Sequence, residues 1–312
     1  MARKKKEKKE RSYRRLSRVA VLPSLVTLVN LIFGFAAIHF SSKGLDDPHE
    51  LWWKNPELTY FAAAAWMIFL AMICDGLDGF LARLTRGTSG FGAQLDSLAD
   101  MVSFGLAPAF LMLRLVESGL KDMVSPISPV FASIPGKLIW LAGTAYICCA
   151  ALRLARFNVE HSPEKTDHVG FAGLPTPAAA GVVAALVLLY SDLVPEFQEE
   201  VPKLAYFGSK LIIYSLPILT VIVSLLMVSR IPYRHLINHY VRGQRSLSHL
   251  VKVFLVVLCL ILKLQLTASI AFLAYAFSSP LRKLWQKHLQ SRFRRAEVQQ
   301  DISKEDDNST GT

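Results

Sequence analysis

The sequence predicts an all-α integral membrane protein, a polytopic bundle of six core transmembrane helices followed by a C-terminal hydrophobic hairpin. Apolar residues make up 52% of the 312 residues, only 19% are charged, and the mean hydropathy is +0.35. The charges are concentrated in the tails and in short connectors, which leaves long apolar stretches between them. This distribution excludes a water-soluble α/β enzyme and a disordered chain.

The first 18 residues form a basic tail, MARKKKEKKERSYRRLSR. The apolar stretch that follows is too long for a signal-peptide core and has no small-residue cleavage site, so we expect the tail to be retained. The net charge is +11 and the pI is about 9.6. Such a charge on a membrane protein favours anionic membrane lipid as a partner, and we expect no nucleic acid.

Six apolar stretches follow the tail, each near the length of about 20 residues that crosses a ~30 Å hydrocarbon core. They are residues 22–40, 57–81, 95–116, 137–157, 176–194 and 210–228. Because positively charged connectors stay in the cytoplasm, the basic tail fixes the N-terminus inside. Successive spans cross the membrane in alternating directions. This places the connectors 83–94, 158–174 and 229–249 inside, and 41–56, 117–136 and 195–209 outside.

The last apolar stretch, residues 250–278, has two interpretations. A single crossing would place the basic residues that follow Leu281 outside, against the positive-inside rule. A hairpin turning near Lys263 and Gln265 would return them to the cytoplasm, although two full crossings need about 40 residues. We therefore expect two short or tilted helices, with the tail inside.

The expected organisation has four parts. A basic cytoplasmic tail (1–18) precedes a membrane domain (19–235), which is followed by a cytoplasmic loop with the hydrophobic hairpin (236–279). The remainder (280–312) is a basic and then polar cytoplasmic tail, partly disordered because its end has few apolar residues. The number of membrane segments, seven or eight, stays open.

Four aspartates cluster in the segment CDGLDGFLARLTRGTSGFGAQLDSLAD, residues 74–100. Asp75 and Asp78 are spaced i, i+3 and Asp96 and Asp100 are spaced i, i+4, so each pair projects from one helix face. The glycine-containing connector 84–94 turns the chain back, which lets the two acidic faces oppose each other. An aspartate at the membrane centre costs about 2.5–3.5 kcal/mol, so this cluster requires a partner.

Oxygen ligands without histidine or cysteine favour a hard divalent cation, Mg²⁺, Mn²⁺ or Ca²⁺. Carboxylates around such ions are used to activate phosphoryl oxygens. Beside the acidic face, Gly76, Gly79 and Ala82 leave room for a bulky group, and Arg83 is able to pair with a phosphate. The alternative is a set of ordinary helix-end acids that cap helices or pair with loop arginines.

The run DGLDGFLAR (75–83), with Gly92, Asp96 and Asp100 at the matching spacings, resembles the motif of the CDP-alcohol phosphatidyltransferase family without a missing position. The flanking segments LDSLADMVSFGLAPA (95–109), ALRLARFN (151–158) and FAGLPTPAAAG (171–181) are similar to the phosphatidylserine synthase branch. LPSLVTLVNLIFGFAAI (22–38) is similar as well, although Ser24 stands where that branch is expected to have Asn. The resemblance covers approximately residues 18–235.

The resemblance implies transfer of a phosphatidyl group from CDP-diacylglycerol to L-serine, giving phosphatidylserine and CMP. It implies Mg²⁺ or Mn²⁺ held by Asp75, Asp78 and Asp96, with Asp100 as the general base and also a metal ligand. Gly79, Ala82 and Arg83 match the family's nucleotide-side residues, and we expect Gly76 to lie in the same wall. It also implies a homodimer in the cell inner membrane or its equivalent, with the active site facing the cytoplasm.

Three positions keep two interpretations each. Arg153 and Arg156, spaced i, i+3 at the cytoplasmic end of a span, either bind the serine carboxylate or bind lipid phosphate at the interface. Asn30, inside the first span, either hydrogen-bonds the acidic helices or forms an ordinary helix–helix contact.

Two rival functions remain. One is the same transfer to glycerol 3-phosphate, inositol phosphate or choline, which only the flanking segments argue against. The other is a cation-coupled transporter, in which acidic residues are dispersed over several helices. Here all four aspartates lie on one predicted helix pair.

Overall fold

The chain folds into a bundle of helices. The computed structural model describes residues 2–46, 59–85, 90–120, 134–160, 173–194, 203–233, 263–283 and 285–286. Its α-helices are α1 (Ala2–Asp46), α2 (Tyr60–Thr85), α3 (Gly90–Asp100), α4 (Ala107–Gly119), α5 (Ile134–Glu160), α6 (Thr176–Leu193), α7 (Lys203–Val228) and α8 (Leu264–Lys283). A short π-helix, Met101–Leu106, joins α3 to α4, so that Gly90–Gly119 is one continuous helical rod.

The helical composition confirms the predicted fold class. Within the described residues there is no β-strand, and seven helical segments are long and apolar enough to cross a membrane. Many large apolar side chains point outward, among them Ile32, Phe35, Phe207 and Ile218, each more than 60% exposed. Such a surface is insoluble in water and suits contact with lipid. The chain is an integral, multi-pass membrane protein.

Helix α6 forms the centre of the bundle. Every side chain from Ala179 to Leu188 is buried. A helix that is apolar on all sides must be enclosed by other helices, and α2, α4, α5 and α7 pack around it. Residues such as Ala180 and Ala184 allow these neighbours to approach closely, as is common in membrane bundles.

The helix bounds differ from the predicted spans mainly at the ends. Helix α1 runs without a break from Ala2 through Pro23 into the first span, so the backbone of the basic tail is helical. Helix α2 continues to Thr85 and α3 begins at Gly90, so the predicted connector 84–94 is reduced to residues 86–89, which lie outside the described residues. Gly90 and Gly92 therefore belong to the first turn of α3.

Helix α8 begins beside the predicted hairpin turn and is longer than predicted. It runs for 20 residues from Leu264 to Lys283, which at about 1.5 Å per residue spans a hydrocarbon core. The other predicted arm, residues 250–262, lies outside the described residues. The hairpin therefore stays a prediction.

The direction of α8 follows from its contacts with α6. The hydroxyl of Ser269 donates to the carbonyl of Ala185 at 2.8 Å, and farther along α8 the ring of Phe272 lies against Gly181. Near the end of α8 the Tyr233 hydroxyl, just beyond α7, donates to the carbonyl of Ala276 at 2.8 Å. Helix α8 is thus antiparallel to α6, and its C-terminal end lies on the side where α6 begins and α7 ends.

A glycine turn fixes the start of α6 against the end of α7. The backbone amide of Gly173 donates to the carbonyl of Ile231 at 2.9 Å, and the amide of Leu174 donates to the carbonyl of Leu226 at 3.0 Å. The second bond satisfies one of the last carbonyls of α7. Gly173 has a φ of +93°, a conformation that favours glycine. The turn sets the position of Thr176, the first residue of α6.

Gly34 allows α1 to pack closely against the π-helix. A Cβ atom at this position would lie 2.8 Å from the Cα atom of Ser103. We expect Gly34→Ala to lower the free energy of unfolding by about 1–3 kcal/mol, the usual effect of overpacking. Thermal unfolding of the detergent-solubilised protein measures the change.

Gly76→Ala is the matched control for stability, because no atom lies within 4 Å of the added Cβ. It should leave the melting temperature unchanged or raise it, since alanine is the better helix former. An unchanged melting temperature for Gly34→Ala would contradict the close packing of α1 against the π-helix.

Candidate active site

The aspartates of α2 and α3 converge at one end of the bundle. Asp75, Asp78 and Asp96 each offer a carboxylate oxygen, and these three oxygens lie within 4.8 Å of one another. Asp100 is close enough to interact electrostatically with all three. Helix α2 ends at Thr85 and α3 begins at Gly90, and the i, i+3 pair of α2 faces the i, i+4 pair of α3.

The arrangement fits a hard divalent cation. Oxygen ligands lie about 2.0–2.6 Å from Mg²⁺ or Ca²⁺, so ligands on opposite sides of one ion are about 4–5 Å apart. The separations among Asp75, Asp78 and Asp96 fall inside this limit. Unneutralised carboxylates at this spacing repel one another strongly in a medium of low dielectric constant. A bound cation would remove that repulsion.

Helix α1 supplies a buried hydrogen bond to each acidic pair. The hydroxyl of Thr27 donates to Oδ2 of Asp78 at 2.9 Å, and Nδ2 of Asn30 donates to Oδ1 of Asp100 at 3.3 Å. All four side chains are buried, with Asn30 completely inaccessible. Because each bond restricts one carboxylate, α1 acts as the wall against which the acidic pairs are held.

The π-helix begins directly after Asp100. Its wider turn places the Ser103 hydroxyl where it donates to the backbone carbonyl of Asn30 at 3.0 Å. The carbonyl of Phe104 accepts a hydrogen bond from the hydroxyl of Tyr146 on α5 at 3.1 Å. Short π-helical segments often occur at functional sites, and this one ties Asp100 to α1 and α5 together.

One side of the carboxylate cluster is open. No atom lies within 4 Å of a Cβ built on Gly76, and a Cβ on Gly79 would meet only Nη1 of Arg83, at 3.7 Å. Ala82 is half-buried and Arg83 is exposed. The face formed by Gly76, Gly79, Ala82 and Arg83 therefore has room beside the carboxylates for a ligand.

Arg153 of α5 interacts with Asp100 from a third helix. Its Nη1 donates to the hydroxyl of Thr176 at 2.6 Å, and its charge interacts with the carboxylate of Asp100. Arg156 follows one turn later and is half-buried. Near it, the hydroxyl of Ser97 donates to Oδ1 of Asn158 at 3.0 Å, which joins α3 to the end of α5.

The structure thus brings together the four predicted aspartates, the small-residue face and Arg153. Asn30 makes the predicted hydrogen bond to an acidic helix. Sequence reasoning missed Thr27 and Thr176, and the only available signal was their position as isolated polar residues within or next to apolar runs.

Comparison with protein families agrees with this geometry. The sequence profile of the family described as CDP-alcohol phosphatidyltransferase matches residues 20–226. This segment contains α2 to α6, most of α1 and α7, and all the aspartates of the site. Helix α8 lies beyond it.

Three curated relatives illustrate the similarity. The chain is 34% identical over 167 residues to a CDP-diacylglycerol–serine O-phosphatidyltransferase of Helicobacter pylori, a match covering 54% of this chain and 57% of that protein. A protein of the same name from Methanocaldococcus jannaschii is 36% identical over 155 residues, covering 50% and 54% respectively. An archaetidylserine synthase of Methanothermobacter thermautotrophicus is 32% identical over 181 residues, covering 56% and 62%. The chain thus spans little more than half the length of these relatives.

The carboxylate cluster predicts that divalent cations stabilise the fold. At a free cation concentration 100 times the Kd, the gain in unfolding free energy is about 2.7 kcal/mol. Asp78→Asn should lose most of this gain and should be more stable than the wild type without cation, because one repelling charge is removed. Thermal unfolding with Mn²⁺ and with EDTA provides the measurement.

Asp192→Asn is the matched control, because Asp192 lies at the opposite end of α6 and is exposed. This variant should retain the full stabilisation by Mn²⁺. Equal stabilisation of Asp78→Asn and the wild type would show that the cluster does not bind the ion.

Proposed function

Because this chain belongs to the CDP-alcohol phosphatidyltransferase family, we propose that it transfers the phosphatidyl group of CDP-diacylglycerol to L-serine. The products are phosphatidylserine and CMP. The observation that carries the proposal is the convergence of Asp75, Asp78, Asp96 and Asp100 at the α2–α3 turn, beside a face of small residues.

The names of the relatives support serine as the acceptor. Two are named CDP-diacylglycerol–serine O-phosphatidyltransferase and the third is named for a serine-containing product. The family match, from residue 20 to residue 226, includes the site.

Asp75, Asp78 and Asp96 would hold the divalent cation, Mg²⁺ or Mn²⁺. When bound, the cation would offset the negative charge of the pyrophosphate that otherwise repels an incoming nucleophile. The hydroxyl of Thr27, bonded to Oδ2 of Asp78, orients that carboxylate and leaves its other oxygen for the ion. Hydrogen bonds from neighbouring side chains commonly fix the orientation of metal ligands in this way.

Asp100 would act as the general base, and also as a ligand of the cation. It takes the proton of the serine hydroxyl as the hydroxyl oxygen forms a bond to the phosphorus that carries the diacylglycerol. The bond from that phosphorus to the bridging oxygen breaks, and CMP leaves with the electron pair. The base must reach the hydroxyl within about 2.6–3.2 Å, or through one water molecule.

The open face would receive the nucleotide. Side chains larger than glycine at positions 76 and 79 would project into the space beside the carboxylates. Arg83, at the end of this face, would pair with a phosphate oxygen. Ala82 completes the wall. The apolar exterior of the bundle gives the acyl chains a direct exit into the bilayer.

Arg153 would bind the serine carboxylate. Its contact with Thr176 fixes the guanidinium near Asp100, where a carboxylate removed from water requires a cation. Arg156 lies one turn farther toward the helix end, where it would help attract the acidic group.

The membrane arrangement follows from charge. The basic tail, the basic connectors and the C-terminal tail are expected on the cytoplasmic side, together with the active site. The tails would then contact anionic lipid. A homodimer is the expected assembly.

A panel of alcohols tests the reaction directly. The purified protein is supplied with CDP-diacylglycerol, Mg²⁺ or Mn²⁺, and L-serine, glycerol 3-phosphate, inositol phosphate or choline, and CMP release is measured. We expect release with serine, abolished by EDTA. Release with glycerol 3-phosphate alone would assign another acceptor, and no release with any alcohol would favour a transporter.

Asp100→Asn tests the base. We expect turnover to fall by about 10²–10⁴-fold, the usual contribution of a positioned general base. Binding of labelled CDP-diacylglycerol should persist, because Asp75, Asp78 and Asp96 remain. Near-normal incorporation of labelled serine by this variant would remove Asp100 from the role.

A further inference from the structure

Two buried polar atoms, on side chains that interact with Asp100, have no hydrogen-bond partner among the described residues. They are the amide oxygen Oδ1 of Asn30 and the Nε atom of Arg153. The described chain has one other such atom, Nε of Arg114, which belongs to a side chain already paired with Glu117 at 3.0 Å. An unmatched polar atom in a buried position is unfavourable, so both of these atoms require a partner from elsewhere.

Hydrogen bonds hold both the side chain and the backbone of Asn30. Its Nδ2 atom donates to Oδ1 of Asp100 at 3.3 Å, and its backbone carbonyl accepts a hydrogen bond from Ser103 at 3.0 Å. Because Asn30 is completely inaccessible, the side chain has little freedom to turn toward another group. Its Oδ1 atom is only an acceptor, and it is held close to the Asp100 carboxylate because Nδ2 of the same amide group bonds to that carboxylate.

The guanidinium of Arg153 is held in a similar way. Nη1 donates to the Thr176 hydroxyl at 2.6 Å, and the turn at Gly173 fixes Thr176 at the end of α7. The Nε atom, which has no partner, is only a donor and shares the positive charge of the guanidinium group. Asp100 interacts electrostatically with Arg153, which carries the unmatched donor, and accepts a hydrogen bond from Asn30, which carries the unmatched acceptor.

We propose that Asn30 is a substrate-binding residue whose Oδ1 accepts a hydrogen bond from the ammonium group of the acceptor alcohol. Arg153 Nε donates to the carboxylate of the same molecule, and Asp100 accepts from its hydroxyl. The site thus takes a short primary alcohol that carries both an ammonium and a carboxylate group. This inference rests on the proposed function and adds the recognition of the ammonium group to it.

The three contacts have a stereochemical consequence. The hydroxymethyl, ammonium and carboxylate groups of serine are attached to one carbon atom. Three partners in fixed positions therefore bind only one enantiomer. The site should discriminate between L-serine and D-serine through Asn30.

The competing interpretation is that Asn30 only orients Asp100. Removing the side chain would then lower the rate with every acceptor by the same factor. A role in ammonium recognition lowers the rate only for acceptors that carry the ammonium group. 3-Hydroxypropionate, which is serine without its ammonium group, separates the two interpretations.

Asn30→Leu is the principal variant, because leucine has a similar size and no polar atoms. We expect kcat/KM for L-serine, relative to that for 3-hydroxypropionate, to fall by about 10- to 100-fold, the range for a hydrogen bond to a charged group. The preference for L-serine over D-serine should fall as well. Arg153→Gln should instead lower the preference for L-serine over ethanolamine, which lacks the carboxylate.

Thr27→Val is the matched control, since it removes a buried hydrogen bond one turn away on the same helix. It should change the rates with serine and 3-hydroxypropionate by the same factor. Retained binding of labelled CDP-diacylglycerol shows that each variant is folded. Equilibrium binding of labelled L-serine and labelled 3-hydroxypropionate makes the same comparison without turnover.

Asn30→Asp is the second variant, because it keeps an acceptor oxygen and removes the donor to Asp100. It should retain the preference for L-serine over 3-hydroxypropionate. An unchanged preference in Asn30→Leu, or a loss of preference in Asn30→Asp equal to that in Asn30→Leu, would overturn the inference. A wild-type protein that does not use serine would overturn the proposed function itself, which the alcohol panel reports separately.

Discussion

The structure depends on holding four like-charged carboxylates together in a bundle embedded in lipid. Asp75, Asp78, Asp96 and Asp100 repel one another, and the burial of Asp78 and Asp100 weakens the screening by water. Two features make the arrangement possible. A divalent cation would offset part of the negative charge, and α1 supplies the hydroxyl of Thr27 and the amide of Asn30 as fixed donors. The close packing of α1 at Gly34 therefore serves the site as well as the fold.

Much of the site was predictable because it depends on short-range spacing. The i, i+3 and i, i+4 pairs place two carboxylates on one face of each helix whatever the rest of the chain does, and a short connector leaves the helices few ways to pack. The same holds for the small-residue face, since Gly76, Gly79 and Ala82 share a helix with Asp75. The helical spans were predictable from the length of the apolar stretches alone. The predicted spans therefore correspond to helices in the structure, while the predicted ends differ from the observed ones.

The remaining features depend on contacts between helices that are distant in sequence. Nothing in the spacing of α1 indicates that Thr27 faces Asp78, or that Thr176 lies next to Arg153. The π-helix after Asp100 has no distinctive composition, because its widened turn is stabilised by Asn30 and Tyr146 from other helices. The direction of α8 likewise follows from Ser269 and Phe272 meeting α6, which apolar length does not reveal.

The π-helical segment also determines the angle, around the axis of the rod from Gly90 to Gly119, between the side chains of α3 and those of α4. Each residue of an α-helix advances the side chains by about 100° around the axis, so an added residue rotates everything beyond it. The acidic face of α3 and the buried face of α4, with Leu111, Met112 and Leu115, are thereby set at an angle that a regular helix would not give. Shortening this stretch by one residue would turn either the carboxylates or the α4 core toward the acyl chains, so local helical winding links the chemistry of one half of the rod to the packing of the other.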